Sequence, residues 1–412
     1  MSEAVLVSVE LAGRAVDAGV AYFSRRRNVL STTFRYDEEY LARRNAYAID
    51  PAMPLTQGTH VIAGLPGSFA DCSPDCWGKN LIAKRVRLRA LRGGKTSSSL
   101  SENDYLLGVS DLTRQGALRF RTQPDGPYLN PDLTVATLVE LPRLLRAADA
   151  VARDPDDLSA VKDLLDAGSG SLGGARPKAS VRDGGRLFIA KFPHHSDEWD
   201  VIAWEKTALD LAQRAGIDVP ARRLTAVGGR SVLMLERFDR EADRRMGYIS
   251  AMTLVRGQDG SPQDYLEVAE TLTELGSRVG VDLRELWRRM AFSVAIHNTD
   301  DHLRNHGFLR DGPSGWRLAP AFDINPNPDD GSQRVTGIGG AYRRDDELAG
   351  LLANAESFRL SDAESRRVLR EVLDGTAGWR EVAVGNGVPK AELPRFEQAL
   401  EGLRAQMDQL AD

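Results

Sequence analysis

NTDDHLRN, residues 298–305, sets Asp300 five positions ahead of Asn305, and one loop later a second carboxylate, Asp323, follows the apolar run Leu318 to Phe322 in WRLAPAFDINP. Two carboxylates and an amide carbonyl make a set of hard oxygen donors, the kind that Mg²⁺ accepts. A transferring γ-phosphoryl group passes through a charge-rich transition state. A protein that moves it therefore mainly positions the reactants and holds Mg²⁺ against the phosphates. The apolar run reads as a short strand that delivers Asp323 at its end.

Protein kinases use D-x-x-x-x-N for the catalytic Asp and a metal-binding Asn, and follow it with a metal-binding Asp in D-F-G. Asp300 and Asn305 keep that spacing, although the residue two after Asp323 is Asn325 rather than Gly. Upstream, GSGSLGG at 168–174 contains a G-x-G-x-x-G match at Gly168, Gly170 and Gly173, weak alone in a chain with 38 glycines. Its context adds weight. Lys191 ends RLFIAK, a V-A-I-K-like strand whose lysine would reach phosphates and pair with a helix glutamate, Glu205 or Glu198.

The chain has 412 residues, 42% apolar and 27% charged, with a formal net charge of −5. That is a globular composition sized for two or three domains. The acidic balance argues against direct sequence-specific nucleic-acid binding. The basic runs KRVRLRALR at 84–92 and Arg25 to Arg27 read as solvated faces. No apolar stretch is long enough to span a membrane, and Glu3 and Glu10 flank AVLVSV where a signal peptide would be basic, so a cytoplasmic location is expected. Cys72 and Cys76 form neither a disulfide framework nor a zinc pattern and read as structural.

AVLVSVEL, GVAYF and STTFRY alternate or cluster apolar residues between breaks, predicting a β-rich domain over residues 1–105. A loop over 92–104 and a helical stretch from Leu133 to Leu165 lead to the glycine loop. RLFIAKF and SVLMLERF read as buried strands around the helix-patterned EWDVIAWEKTALDLAQRAG, giving a mixed nucleotide-binding lobe over 106–247. From Tyr248 the period is helical, as in Leu283, Leu286, Trp287, Met290 and Val294. Ser361 and Glu364 form a capping box, and Ala391 to Leu410 is amphipathic, so 248–412 is expected to be an all-helical lobe. The fold class is α+β, protein-kinase-like and two-lobed.

SLGGARPKA, FIAKF, LMLERFDR, NTDDHLRNHGFL and FDINP together resemble the HipA family of serine/threonine kinases, and FADCSPDCWGKNLI at 69–82 resembles the end of that family's N-terminal domain. The resemblance implies ATP and Mg²⁺ as cofactors, with Asp300 as catalytic base and Asn305 and Asp323 on the metal. It implies that Leu172, Gly173, Gly174, Ala175 and Lys178 cover the phosphates, that Lys191 grips them, and that His302 lies close to the nucleotide. Glu236 and Phe238 would border the adenine. Ser171 matches the serine whose phosphorylation shuts some members off, which adds negative charge beside a phosphate site and gives autophosphorylation an inhibitory rationale. The family further implies a protein substrate, by analogy an aminoacyl-tRNA synthetase, and a HipB-like DNA-binding antitoxin as partner. Two departures stand out: MGYISAMTLVRG after the ERFDR strand, and Pro177, which withholds one N–H donor from the loop.

Two other readings compete. His297, His302 and His306 cluster with carboxylates, and His302 and His306 at i, i+4 would share a helix face as ligands of a metal-dependent hydrolase. Alternatively, the chain is a non-catalytic, ATP-binding regulatory partner of a DNA-binding antitoxin.

Overall fold

The computed structural model describes residues 3–27, 29–74, 76–92, 99–130, 135–154, 157–167, 176–242 and 244–411. The chain packs into two units, one of Met1–Asp197 with Thr225–Ile249, the other of Glu198–Leu224 with Ser250–Asp412.

The first unit opens with β1 (Glu3–Leu11), β2 (Arg14–Arg26), β3 (Val29–Tyr36), β4 (His60–Ala63) and β5 (Leu118–Arg121), an antiparallel sheet in the order β4-β3-β2-β1-β5. The alternation read from the sequence is its cause, since Val5, Val7 and Val9 turn one face of β1 inward. Phe34, Tyr36, Phe69 and Phe120 meet on that face, with ring centroids 4.9–6.2 Å apart. Four helices accompany the sheet: α1 (Glu38–Leu41), α2 (Gly67–Asp71), α3 (Cys76–Arg92) and α4 (Glu102–Gly108). The basic run 84–92 is thus the second half of a helix, and β-rich describes the sheet but not residues 67–92. Residues 93–98 of the expected loop lie outside the described residues.

A second sheet holds β6 (Ala136–Thr137), β7 (Lys178–Asp183), β8 (Arg186–Lys191), β9 (Arg222–Val227) and β10 (Arg230–Glu236) in the order β6-β7-β8-β10-β9. The stretch read as one helix from Leu133 divides into α5 (Leu141–Arg153) and α6 (Leu158–Asp166). Asp154 is extended at φ −125°, ψ 97°, as a residue before proline prefers. Leu141, Leu144 and Leu145 of α5 pack on Val181, Phe188, Phe192 and Met234. Further along the helix, Ala147, Ala148 and Val151 pack with α6 and with Trp77, Leu81 and Ile82 of α3. Full burial of each large apolar side chain stabilises by about 1.5–3 kcal/mol. The segment after β10 adds β11 (Arg240–Glu241), β12 (Arg244–Arg245) and β13 (Tyr248–Ser250).

The second unit contains α7 (Val201–Arg214), α8 (Ala251–Leu254), α9 (Tyr265–Leu275), α10 (Val279–Ala295), α11 (Arg344–Ala353), α12 (Asp362–Thr376), α13 (Trp379–Gly385), α14 (Leu393–Glu401) and α15 (Arg404–Ala411). It is mainly helical, with short strands as an addition to the expected pattern: β14 (Gln263–Asp264) pairs in parallel with β17 (Thr336–Gly337), and β15 (Gly307–Arg310) pairs antiparallel with β16 (Trp316–Leu318). Leu286, Trp287, Met290 and Phe292 of α10 are almost fully buried. On α7, Trp204 stacks on Phe396 at 3.8 Å and donates its indole N–H to Glu392 at 3.0 Å. The Ser361–Glu364 capping box is present at the start of α12.

Candidate active site

In the first unit, β7 and β8 pair so that Lys178 lies directly opposite Lys191. Opposed residues of a ladder project to the same face, so two ammonium groups share one patch. Both lysines are buried, at 3% and 9% exposure. Leu172, Gly173, Gly174, Ala175 and Ser171 lie outside the described residues, so the phosphate loop and the phosphosite rest on the sequence alone.

Strand β10 pairs with β8 and ends at Glu236, whose carboxylate meets Arg186 at 3.1 Å. The next residues are held from behind. Asp239 accepts from Arg237 Nε at 2.7 Å and Nη2 at 2.5 Å, from Arg240 Nη1 at 2.6 Å and from the Gly116 N–H at 2.8 Å. Arg237 also donates to the Thr113 carbonyl at 2.8 Å, and Arg240 to that of Arg114 at 2.6 Å. Burial alone would raise the Asp239 pKa, but the two guanidiniums override it and hold the carboxyl far below the usual range. Phe238, half-buried between the two arginine-flanked positions, faces Tyr248 with ring centroids 6.2 Å apart.

In the second unit, α10 stops in a Schellman motif. The Asn298 N–H bonds the Ser293 carbonyl at 2.8 Å and the His297 N–H that of Val294 at 3.2 Å, with His297 at φ +54° where glycine is usual. The imidazole of His297 is spent on the Asp329 carbonyl, 3.0 Å from Nε2. From this stop the chain enters the NTDDHLRN loop. The Asp300 carbonyl accepts from the His302 N–H at 3.0 Å and from Asn305 Nδ2 at 3.3 Å, and the Asn305 N–H bonds the His302 carbonyl at 2.8 Å. With its Nδ2 so engaged, the Asn305 amide has its Oδ1 left to act as an acceptor.

Asp300 itself is open to solvent yet crowded by protein, and this partial desolvation raises its pKa. Asp323 and Asp301 add to the rise and His302 opposes it. That coupling brings Asp323 electrostatically together with Asp300. Asp323 is not delivered by a strand, because β16 ends at Leu318: the Ala319 N–H still reaches the Gly307 carbonyl at 2.8 Å, but Pro320 has no N–H to continue. The Ala321 N–H instead bonds the Asp218 carbonyl at 2.7 Å, and Asp323 adopts φ +58°, a left-handed conformation uncommon for non-glycine residues and concentrated at functional sites.

Asp301, His306 and Tyr265 were not singled out in the sequence as a group. Asp301 is buried, its Oδ1 3.0 Å from His306 Nε2 and its Oδ2 accepting from the Tyr265 hydroxyl at 2.5 Å. Burial pushes its pKa up, but His306 and Tyr265 outweigh that and bring it down to about 2. His302 and His306 do not share a helix face. Between them lies one 3₁₀ turn, Leu303–Asn305, and His306 is committed to Asp301. Among the described residues no group of three or more His, Cys, Asp or Glu side chains could hold a metal ion. The histidine-ligated hydrolase site is therefore not formed. Asp300, Asn305 Oδ1 and Asp323 are instead a sparse oxygen set. It fits Mg²⁺, which typically takes one or two carboxylates and completes its shell with phosphate and water.

The fold is of the kinase-like class. Family models for the HipA-like C-terminal domain and the HipA N-terminal domain match residues 170–379 and 15–99, and the chain belongs to the HipA family. A protein of Haemophilus influenzae named "Putative kinase" is 24% identical over 169 residues, 36% of this chain and 48% of that one. The "Putative kinase Y4mE" of Sinorhizobium fredii is 25% identical over 148 residues, 33% of each chain. The chain thus spans half or less of the length of these relatives. HipA in a complex with HipB and operator DNA from Shewanella oneidensis MR-1 aligns over 99% of this chain and 96% of that one, with a TM-score of 0.62 at 14% identity, a likeness of fold. No helix among the described residues is long and apolar enough to cross a membrane.

Proposed function

We propose that the chain is a serine/threonine protein kinase of HipA type, transferring the γ-phosphate of ATP to a protein hydroxyl. The observation that carries this reading is the loop 300–305, which holds Asp300 and Asn305 through one shared carbonyl while Asp323 lies close enough to raise the Asp300 pKa.

Asp300 accepts the proton of the substrate hydroxyl as its oxygen bonds to the γ-phosphorus and the bond to the β-phosphate oxygen breaks, releasing ADP. Asn305 Oδ1 and the Asp323 carboxylate hold Mg²⁺, which when bound neutralises charge on the phosphate oxygens. Lys178 and Lys191 pair with the phosphates, and His302 lies beside the nucleotide. Glu236 and Phe238 border the adenine, with the bonds to Asp239 keeping that segment in place. Leu172 to Ala175 cover the phosphates through backbone N–H groups, and Ser171 is the site of autophosphorylation. By analogy with the HipA–HipB complex, the partner is a HipB-like DNA-binding protein and the pair a toxin and its antitoxin, in the cytoplasm.

Incubation with Mg²⁺-ATP, followed by intact and peptide mass spectrometry, tests the reading. Wild type gains one phosphate at Ser171, while Asp300→Asn and Asp323→Asn gain none. Equal phosphorylation of all three proteins refutes the site. ATP binding without any transfer, to itself or to other proteins, selects the regulatory-partner alternative.

A further inference from the structure

The loop that carries Asp300 and Asn305 is clasped by the residues one step downstream of each. Asp301 follows Asp300, His306 follows Asn305, and their side chains meet at 3.0 Å. A carboxylate only accepts, so His306 Nε2 carries the proton of this bond. Consecutive Cα atoms are fixed about 3.8 Å apart, so pinning 301 to 306 limits how far 300 and 305 can separate. The second carboxylate oxygen of Asp301 is held by the Tyr265 hydroxyl at 2.5 Å, and its backbone carbonyl by Thr336 Oγ1 at 2.7 Å. All four side chains are buried. They anchor the loop to α9 on one side and to β17 on the other.

None of these groups is assigned to bind substrate or metal, yet they surround the two residues that are. We propose that Asp301, His306 and Tyr265 are positioning residues that hold the loop carrying Asn305 in place and so set the affinity of the site for its divalent ion. The inference rests on the kinase reading for the identity of the ligands, but makes a claim of its own about metal affinity. Removal of an outer partner of a metal ligand typically costs 10- to 100-fold in affinity.

The test is titration of the full chain with Mn²⁺ by electron paramagnetic resonance, in the presence of a non-hydrolysable ATP analogue. His306→Leu and Tyr265→Phe are expected to weaken Mn²⁺ binding by about 10- to 100-fold. His306→Gln, which restores an N–H donor, is expected to recover most of the loss. Leu369→Ala opens a cavity on α12 away from the loop and lowers the melting temperature without moving the affinity. If His306→Leu does not fold, Tyr265→Phe, which removes a single oxygen, decides. Folded variants that bind Mn²⁺ as wild type does overturn the proposal, as does an equal loss in Leu369→Ala or a wild type that takes up no Mn²⁺. Phosphate transfer is scored separately: the expected affinity pattern without transfer keeps the clasp and sinks the kinase reading, whereas transfer with unchanged affinities does the reverse.

Discussion

Asp239→Asn is the substitution with the largest expected effect outside the candidate catalytic loop. The Asp239 side chain is 3% exposed and receives four donors, three from guanidiniums and one from the Gly116 N–H. Asparagine keeps the shape but loses the charge, and turns an NH₂ group toward donors. Arg237, 2% exposed at its side chain, then remains as a buried cation without its counter-ion. Breaking a buried pair by removing one partner costs about 3–5 kcal/mol, a large share of a total stability of about 5–15 kcal/mol. The sign with pH follows from the depressed pKa of Asp239. Its contribution is complete above the unfolded-state value near 3.9 and is lost as pH falls toward the folded value, so the gap between wild type and variant narrows on acidification. Two units make a single global transition unsafe to assume, so the assay is urea unfolding at pH 7 and pH 3 combined with hydrogen exchange at the Gly116 amide, which donates to this carboxylate. A loss below about 1 kcal/mol at pH 7, the size of an exposed ion pair, or a gap that widens in acid would refute the reasoning.

Asp300→Asn lowers phosphate transfer by roughly 10²- to 10⁴-fold while ATP still binds, and Asp323→Asn also weakens the metal complex; steady-state rates across a Mg²⁺ series separate the two, and wild-type rates in either variant remove the assignment. Gly375 on α12 faces Ala215 so closely that an added Cβ would lie 2.5 Å from its backbone nitrogen. Gly375→Ala is therefore expected to destabilise by at least about 1–3 kcal/mol, read as a lower midpoint in urea, and an unchanged midpoint would show that α7 and α12 can move apart freely. Arg359, exposed at φ +59° after Phe358, carries a left-handed strain that glycine does not, and Arg359→Gly should stabilise by up to about 1 kcal/mol, a rise in melting temperature. A fall would mean that the arginine side chain contributes more than its backbone costs.

What could be read from the sequence was local. Periodicity locates α7, which the structure starts after the N-cap Asp200, and apolar runs locate strands β8 and β10 with Lys191 and Glu236 at their ends. The spacing of Asp300 and Asn305 was legible because both lie on one short loop. Helix α3 was missed because the basic residues of its second half obscured a recurrence that Trp77, Leu81 and Ile82 already show. The run before Asp323 misled because apolar content does not reveal that Pro320 ends the ladder. Tyr265 and Thr336 could not be associated with the loop at all, since they lie 36 and 35 residues from Asp301 and only packing brings them together.

The two units are interleaved along the chain, and this bears on how the protein is made. During synthesis β8 emerges with Lys191, but β10, which pairs with it, follows only after α7, whose residues belong to the other unit. At about 5–20 residues per second, residues 192–236 take roughly 2–9 s to translate. For that interval the nascent first unit has a hydrogen-bonding edge at β8 with no strand to cover it, a template for wrong pairing. Ribosomal pausing within this stretch, or a chaperone engaged there, would change the yield of folded protein without altering any residue of the site.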